Sequence, residues 1–210
     1  MKNLLKSVAM LCLSVCMFSL YGCSNEDSPT NSDGSFEGLD VTNLKRGDVV
    51  GAQYVKNETG HWVPLKFTPL SEGDFNVEVA NRAWGCCIIG HISENGKTEE
   101  NEYEGISFDD FSFDKIGECT IFSPDIAFGI KYRYQSLYTY DAMTGGLRIQ
   151  GTDGAWYNPS YVIGLEKAED GVYMWMISCD FLLRYKETTK DELMKIYPNE
   201  WDDYKDQYRN

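Results

Sequence analysis

The sequence predicts an all-β domain built as an antiparallel meander, and three observations carry that expectation. About ten short apolar stretches are separated by turn signals at roughly 8–12-residue spacing. Aromatic residues make up 14% of the 210-residue chain, with 14 Tyr, 10 Phe and 5 Trp, and such residues favour strands. The segment Ala127–Tyr140 alternates with period two, placing Phe128, Ile130, Tyr132, Tyr134, Tyr138 and Tyr140 on one face and Lys131, Arg133 and Gln135 on the other. Closing such a meander into a barrel removes its exposed edges. A two-sheet sandwich satisfies the same pattern and stands as the alternative.

The elements follow in order. Residues 24–40 are rich in Ser, Asn, Asp and Gly without an apolar period, which predicts a flexible acidic tether over 23–40 and one folded domain over 41–210. Asp48–Val55 is a β-branched and aromatic run and predicts a strand. Asn57-Glu58-Thr59-Gly60 is a turn, and His61–Phe67 an edge strand, because Pro64 has no N–H to donate. Phe75, Val77 and Val79 alternate with Asn76, Glu78 and Ala80 and predict another strand. Ala83–Ile92 is a continuous apolar run with Gly85 and Gly90 inside it, which predicts a strand buried on both faces. Asn95-Gly96 marks a tight hairpin.

In Glu102–Phe113 the phase changes between Phe108 and Phe111, which predicts a bulge at Asp109-Asp110 or two short strands. Gly117–Phe122 is a short strand. Ala127–Tyr140 is the longest strand, expected to bend or break near Ser136. Gly145-Gly146 closes a hairpin to Leu147 and Ile149. Ser160–Glu166 continues the meander, and Val172–Glu187 runs back after Glu169-Asp170-Gly171. Thr188–Tyr197 predicts a short C-terminal helix. Thr188 or Thr189 caps it, Asp191 or Glu192 completes a capping box, and Leu193, Ile196 and Tyr197 share a face. Pro198 stops it.

The front of the chain has a different character. Lys2 and Lys6 precede the apolar run Val8–Leu20, broken only by Ser14 and Ser19. This is the layout of a secretory signal, and the run is short of the about 20 apolar residues a spanning helix needs. Leu20-Tyr21-Gly22-Cys23 resembles the lipobox of bacterial lipoproteins, although Tyr21 replaces the small residue usual at its position. The resemblance implies that the signal peptide 1–22 is removed, that Cys23 carries fatty-acyl chains such as palmitate, and that the protein is an outer-membrane lipoprotein of the cell envelope. Glu26 and Asp27 resemble the acidic signals that send some lipoproteins to the cell surface. The lipid would supply the membrane attachment, since each buried CH₂ contributes about 0.8 kcal/mol.

A second resemblance lies in the C-terminal half. Tyr138-Thr139-Tyr140-Asp141, the Thr144-Gly145-Gly146 turn, Leu147-Arg148-Ile149, Tyr161–Leu165 and Val172–Tyr185 are similar to the meander of bacterial lipocalin-like lipoproteins. Gly47-Asp48-Val49-Val50-Gly51 sits where that family begins its first strand, without the Gly-x-Trp of many members. The resemblance implies a lipocalin-like barrel with an internal cavity.

Charge narrows the partners. The formal net charge is −14, and loss of residues 1–22, which carry Lys2 and Lys6 and no acid, lowers it to −16. Such a surface repels nucleic acid and anionic headgroups. After Cys23 the chain holds Cys86, Cys87, Cys119 and Cys179, which fit either disulfides in an oxidising compartment or buried thiols. Adjacent cysteines do not give the spaced pairs of a structural zinc site.

No Gly-x-Ser-x-Gly elbow and no His-Glu-x-x-His motif is present. His61 and His91 read as surface or strand-end residues, and Glu99, Glu100, Glu102, Glu104, Asp109 and Asp110 as a solvated acidic strand edge. Asp180, inside an apolar run, is expected to be buried with a partner. No catalytic residue, metal site or cofactor is expected. Tyr132, Tyr134, Tyr138, Tyr140, Trp156 and Trp175 are the candidate ligand-lining residues, because aromatics line most small-molecule pockets. The expected function is a lipid-anchored binding protein holding a small apolar or amphipathic ligand in the barrel. The alternative is an accessory surface protein binding glycan or a protein partner through exposed aromatics.

Overall fold

The computed structural model describes residues 39–100, 103, 105–125 and 129–204. The signal segment, Cys23, the tether up to residue 38, Glu102, Glu104, Phe128 and the tail after Tyr204 lie outside the described residues. The elements are α1 (Arg46–Val50), β1 (Tyr54–Lys56), β2 (Trp62–Pro64), α2 (Glu72–Glu78), β3 (Ala83–Ile92), β4 (Thr98–Glu99), β5 (Asp110–Lys115), β6 (Glu118–Asp125), β7 (Ile130–Asp141), β8 (Gly146–Ile149), β9 (Ser160–Ala168), β10 (Gly171–Ser178), β11 (Phe181–Thr188), α3 (Lys190–Ile196) and β12 (Asn199–Glu200).

Strands β3 and β5 to β11 pair with their neighbours in chain order, and β11 pairs antiparallel with β3 from Phe181↔His91 to Thr188↔Ala83. The meander is therefore a closed, eight-stranded antiparallel barrel of lipocalin-like topology, and the sandwich is excluded. β4 lies off this ring on the end of β3, and β12 pairs in parallel with β7. β7 runs unbroken through Ser136. Its first part, up to Leu137, pairs with β6, and its last residues pair with β8 on the other edge.

Alternation sorts the side chains. Phe111, Phe113, Cys119, Ile121, Tyr138, Leu147, Val162, Leu165, Met174, Met176, Leu183 and Tyr185 form one buried cluster inside the ring. Ile163, Trp175, Ile177, Leu182, Ile89 and Ile92 face outward and form a second cluster with Leu44, Val49, Ala52 and Tyr54 of the N-terminal segment. That segment is fastened to β9, where Leu165 donates its N–H to the Val41 carbonyl (2.8 Å) and Leu44 donates to the Leu165 carbonyl (2.6 Å).

Three predicted strands in this N-terminal part are corrected. Asp48–Val55 is α1 followed by the start of β1, and the Tyr54 hydroxyl donates to the Val49 carbonyl at 2.6 Å. Of His61–Phe67 only Trp62–Pro64 is strand, and Leu65 is 56% exposed. Phe75, Val77 and Val79 lie on α2 and at its end. Ser71 caps this helix by accepting the Asp74 N–H at 3.0 Å, and Glu72 and Asp74 suit the positive N-terminal end of the dipole. Phe75 and Val79, four apart, share the buried face, whereas Val77 is 71% exposed.

α2 plugs one end of the barrel. The Phe75 ring stacks on Tyr140 with centroids 4.0 Å apart and meets Phe113 edge-on at 5.9 Å. The Tyr140 hydroxyl donates to the Leu70 carbonyl just before the helix at 2.9 Å. The β7–β8 turn lies at this end, where Gly145 takes φ +76°, as the turn signal predicts.

Val172–Glu187 is not one stretch but β10 and β11. The turn between them places Cys179 at φ +55°. Asp180 sits in this turn and is exposed, not buried as expected, and its carbonyl accepts the Ile92 N–H. The four cysteines of the body are thiols, with none joined in a disulfide.

On the outer wall, Glu166 takes a two-pronged ion pair from Arg184 (2.9 and 2.8 Å) and the indole N–H of Trp175 (2.8 Å). The Arg184 guanidinium lies 3.4 Å over the Tyr173 ring. α3 forms as predicted, with Thr189 as N-cap and Glu192 completing the capping box. Its Leu193, with Tyr197, packs on Phe122 and Ala83 outside the ring.

Truncating the plug, Phe75→Ala, is expected to destabilise the fold by about 3–5 kcal/mol, whereas Thr189→Ala at the α3 cap costs about 1 kcal/mol. Urea denaturation of both variants measures the difference.

Candidate functional site

Among the described residues, no helix enters the barrel end opposite α2. Asp109, two residues before Phe111, continues its inward phase. Here Phe108, Asp109, Phe111, Leu147, Ile149, Tyr157, Asn158, Ser160, Ser178 and Tyr185 line a recess of about 130 Å³. Walls come from β5 and the approach to it, from β8, from the β8–β9 loop, from the start of β9 and the end of β10, and from Tyr185 within β11. Ser160 and Ser178 bridge two of these strands through their hydroxyls at 3.0 Å. The Tyr185 hydroxyl donates to the Asp109 carbonyl at 3.3 Å.

Asp109 and Asp110 point to opposite sides of the barrel wall. The outer carboxylate, Asp110, accepts the Cys86 N–H at 2.6 Å and the Tyr197 hydroxyl at 2.8 Å, with the Lys131 charge nearby. Burial still raises its pKa. The inner one, Asp109, has a hydrogen bond from Ser123 and no cation against it among the described residues. Burial, reinforced by Asp110, pushes its pKa up to about 6. The predicted solvated acidic edge is thus corrected at these two positions: a strand phase that alternates in and out takes both out of open solvent.

The six sequence-predicted ligand-lining residues divide. Tyr138 and Tyr140 lie inside the barrel but at the plugged end, against Phe113 and Phe75. Tyr134 also faces inward, nearer the recess. Burial, then the Asp109 charge, raises its pKa, and its hydroxyl interacts with that of Tyr157. Tyr132 stacks on Tyr134 with centroids 6.2 Å apart and meets the tilted ring of Trp201 at 4.9 Å. Trp156 is half exposed on the β8–β9 loop, bridged to Gln150. Trp175 is fully buried on the outer wall with Arg184 and Glu166, away from the barrel interior.

Sequence reasoning, which points to Tyr157 beside Trp156 as a candidate aromatic, missed Asp109, Phe108, Phe111 and Tyr185 as a group. The one available signal was the phase change placed at Asp109-Asp110.

A larger, open cleft of about 610 Å³ lies outside the ring, between the β1–β2 ribbon and the β7–β8 and β8–β9 connections. Val55, Val63, Leu65, Phe67, Met143 and Pro159 supply its apolar wall. Two of its polar side chains serve their own turns. The Asn57 carboxamide accepts from Thr59 and His61, and the Asp141 carboxylate accepts from Met143 and Thr144. His61 contacts the Thr59 hydroxyl through Nδ1 at 2.9 Å, and burial, then Arg148, lowers its pKa. The other histidine, His91, approaches Glu99 at 3.8 Å. Among the described residues no three His, Cys, Asp or Glu side chains converge as a metal site.

Comparison with known proteins returns no matching family model, no matching curated protein and no matching solved structure. The lipocalin-like topology stands on strand order and closure.

The Asp109 shift has a definite sign. The folded-state pKa of about 6 lies above the ordinary carboxylate value, so the fold holds a proton that the unfolded chain releases. Stability associated with this group is present at low pH and is lost as pH rises through about 4 to 6. Asp109→Asn is expected to match the native chain near pH 3.5 and to exceed it by about 1–3 kcal/mol at pH 8. Urea melts at the two pH values test this, and a variant weaker than the native chain at pH 8 refutes it.

Proposed function

We propose that the protein is a lipid-anchored binding module of the bacterial cell envelope. It holds a small, mainly apolar or amphipathic ligand in the mouth of its barrel. The supporting observation is the recess over Phe108, Phe111, Leu147 and Ile149, where Asp109, Asn158, Ser160 and Ser178 share the lining with the apolar side chains. Its volume of about 130 Å³ is close to that of apolar cavities of about 150 Å³ that take up benzene. The ligand is therefore a small molecule or the end of a larger one. Anchoring through acylated Cys23 rests on the lipobox-like Leu20-Tyr21-Gly22-Cys23, and placement at the outer membrane, facing the cell surface, on that motif and the acids after it. The assigned role is binding without catalysis or cofactor, and the acidic surface disfavours nucleic acid.

A second function is supported by a different observation. Trp156 and Tyr157, adjacent on the β8–β9 loop, are 44% and 49% exposed. Exposed rings of this kind stack on sugars, which suits an accessory surface protein that binds glycan.

Benzyl alcohol, a neutral amphipathic probe, is expected to shift the methyl NMR signals of Leu147 and Ile149, and Ile149→Trp, which fills the recess, to abolish the shift. Unmoved methyls at saturating probe refute the recess. Retention on immobilised glycan that Trp156→Ala removes and Ile149→Trp leaves intact favours the second function. The anchor is tested separately: Cys23→Ala is expected to move the full chain from the detergent to the aqueous phase of a Triton X-114 partition.

A further inference from the structure

We propose that the recess at the barrel mouth selects a small organic cation, an alkylated ammonium group, whose charge sits against the Asp109 carboxylate among Phe108, Phe111 and Tyr157. This rests on the recess being a binding site and narrows it to one ligand chemistry.

The distribution of charge across the wall is the first argument. The outer acid, Asp110, has two hydrogen-bond donors and the Lys131 ammonium near it, and the Lys131 Nζ itself lies 5.7 Å from the Tyr197 ring centre outside the barrel. The inner acid, Asp109, has only the Ser123 hydroxyl as a side-chain partner among the described residues. A carboxylate withdrawn from water is normally paired with a positive charge. Among the described residues no cation faces the half-buried Asp109.

The second argument is the lining. The groups around Asp109 in the recess are the aromatic residues Phe108, Phe111, Tyr157 and Tyr185, the aliphatic Leu147 and Ile149 and the neutral polar Asn158, Ser160 and Ser178, with no guanidinium or ammonium among them. Aromatic rings attract a cation through their quadrupole, and recognition of quaternary ammonium groups by clustered rings is the common use of this attraction. A carboxylate in surroundings of low polarity attracts a cation far more strongly than one in water. An apolar ligand alone would leave Asp109 without a counter-charge, and an anion would be repelled by it. The third argument is long-range: a chain of net charge −14 enriches cations near its surface.

The test uses the full chain with two probes of the same shape, choline and its uncharged carbon isostere 3,3-dimethylbutan-1-ol. Titration calorimetry gives affinity, and the Ile149 methyl signal reports the location. Choline is expected to bind at least tenfold more tightly than the alcohol and to shift Ile149. Asp109→Asn is expected to erase that preference while leaving alcohol binding unchanged, with its fold checked by thermal melting. Equal affinity of the two probes in the native chain, with Ile149 shifted by both, overturns the cation and leaves the recess as a binding site. No shift from either probe overturns both. Choline binding that Asp109→Asn leaves intact overturns the role of Asp109 and assigns the binding to general surface charge. The comparison of probes in the native chain needs no variant to fold.

Discussion

The structure depends on the pairing of β11 with β3. Eight strands in a meander have two free edges until this ladder forms, and an unpaired edge leaves a row of backbone donors and acceptors open. Once Thr188 meets Ala83 and Phe181 meets His91, every strand has an inside and an outside. The period-two pleat then decides the position of each side chain. Met174 and Met176 go to the interior, while Trp175 between them goes to the outer wall. Asp109 and Asp110, adjacent in sequence, are separated by the thickness of a sheet.

Two covers complete what closure begins. α2 enters one end with Phe75 and fills it against Tyr138, Tyr140 and Phe113. The N-terminal segment covers the outer faces of β9, β10 and β11, so the Trp175 side is buried although it faces away from the interior. The Glu166–Arg184 pair lies on this outer side, with each partner satisfied by the other and by neighbouring rings. Replacing only one member of such a pair leaves an uncompensated charge, so the arrangement holds the wall in register more than it offers a site.

The strands of the ring from β3 to β9 were legible, because alternation, Gly-containing turns and one long amphipathic strand are local signals. The C-terminal helix was legible through its Thr189–Glu192 capping box. The N-terminal part was not. Phe75, Val77 and Val79 satisfy a strand pattern, yet Phe75 and Val79 also satisfy a helical one, and the Ser71 cap decides between them. The β10–β11 turn has neither Gly nor Pro. Cys179 takes the left-handed conformation there, and nothing in residue type announces it. The candidate site was half legible. The inward tyrosines of β7 could be read from phase, but which of them meet the plug and which approach the open mouth depends on α2, an element the pattern disguised. Asp109 was visible only as a break in phase.

The plug at Phe75 makes the barrel a cup rather than a tube. A molecule cannot pass through it from one side of the ring to the other. A ligand held at the proposed site would leave by the opening through which it arrived, and its residence time would be set by the side chains at that rim, Tyr157 and Phe108 among them, not by the depth of the barrel behind it.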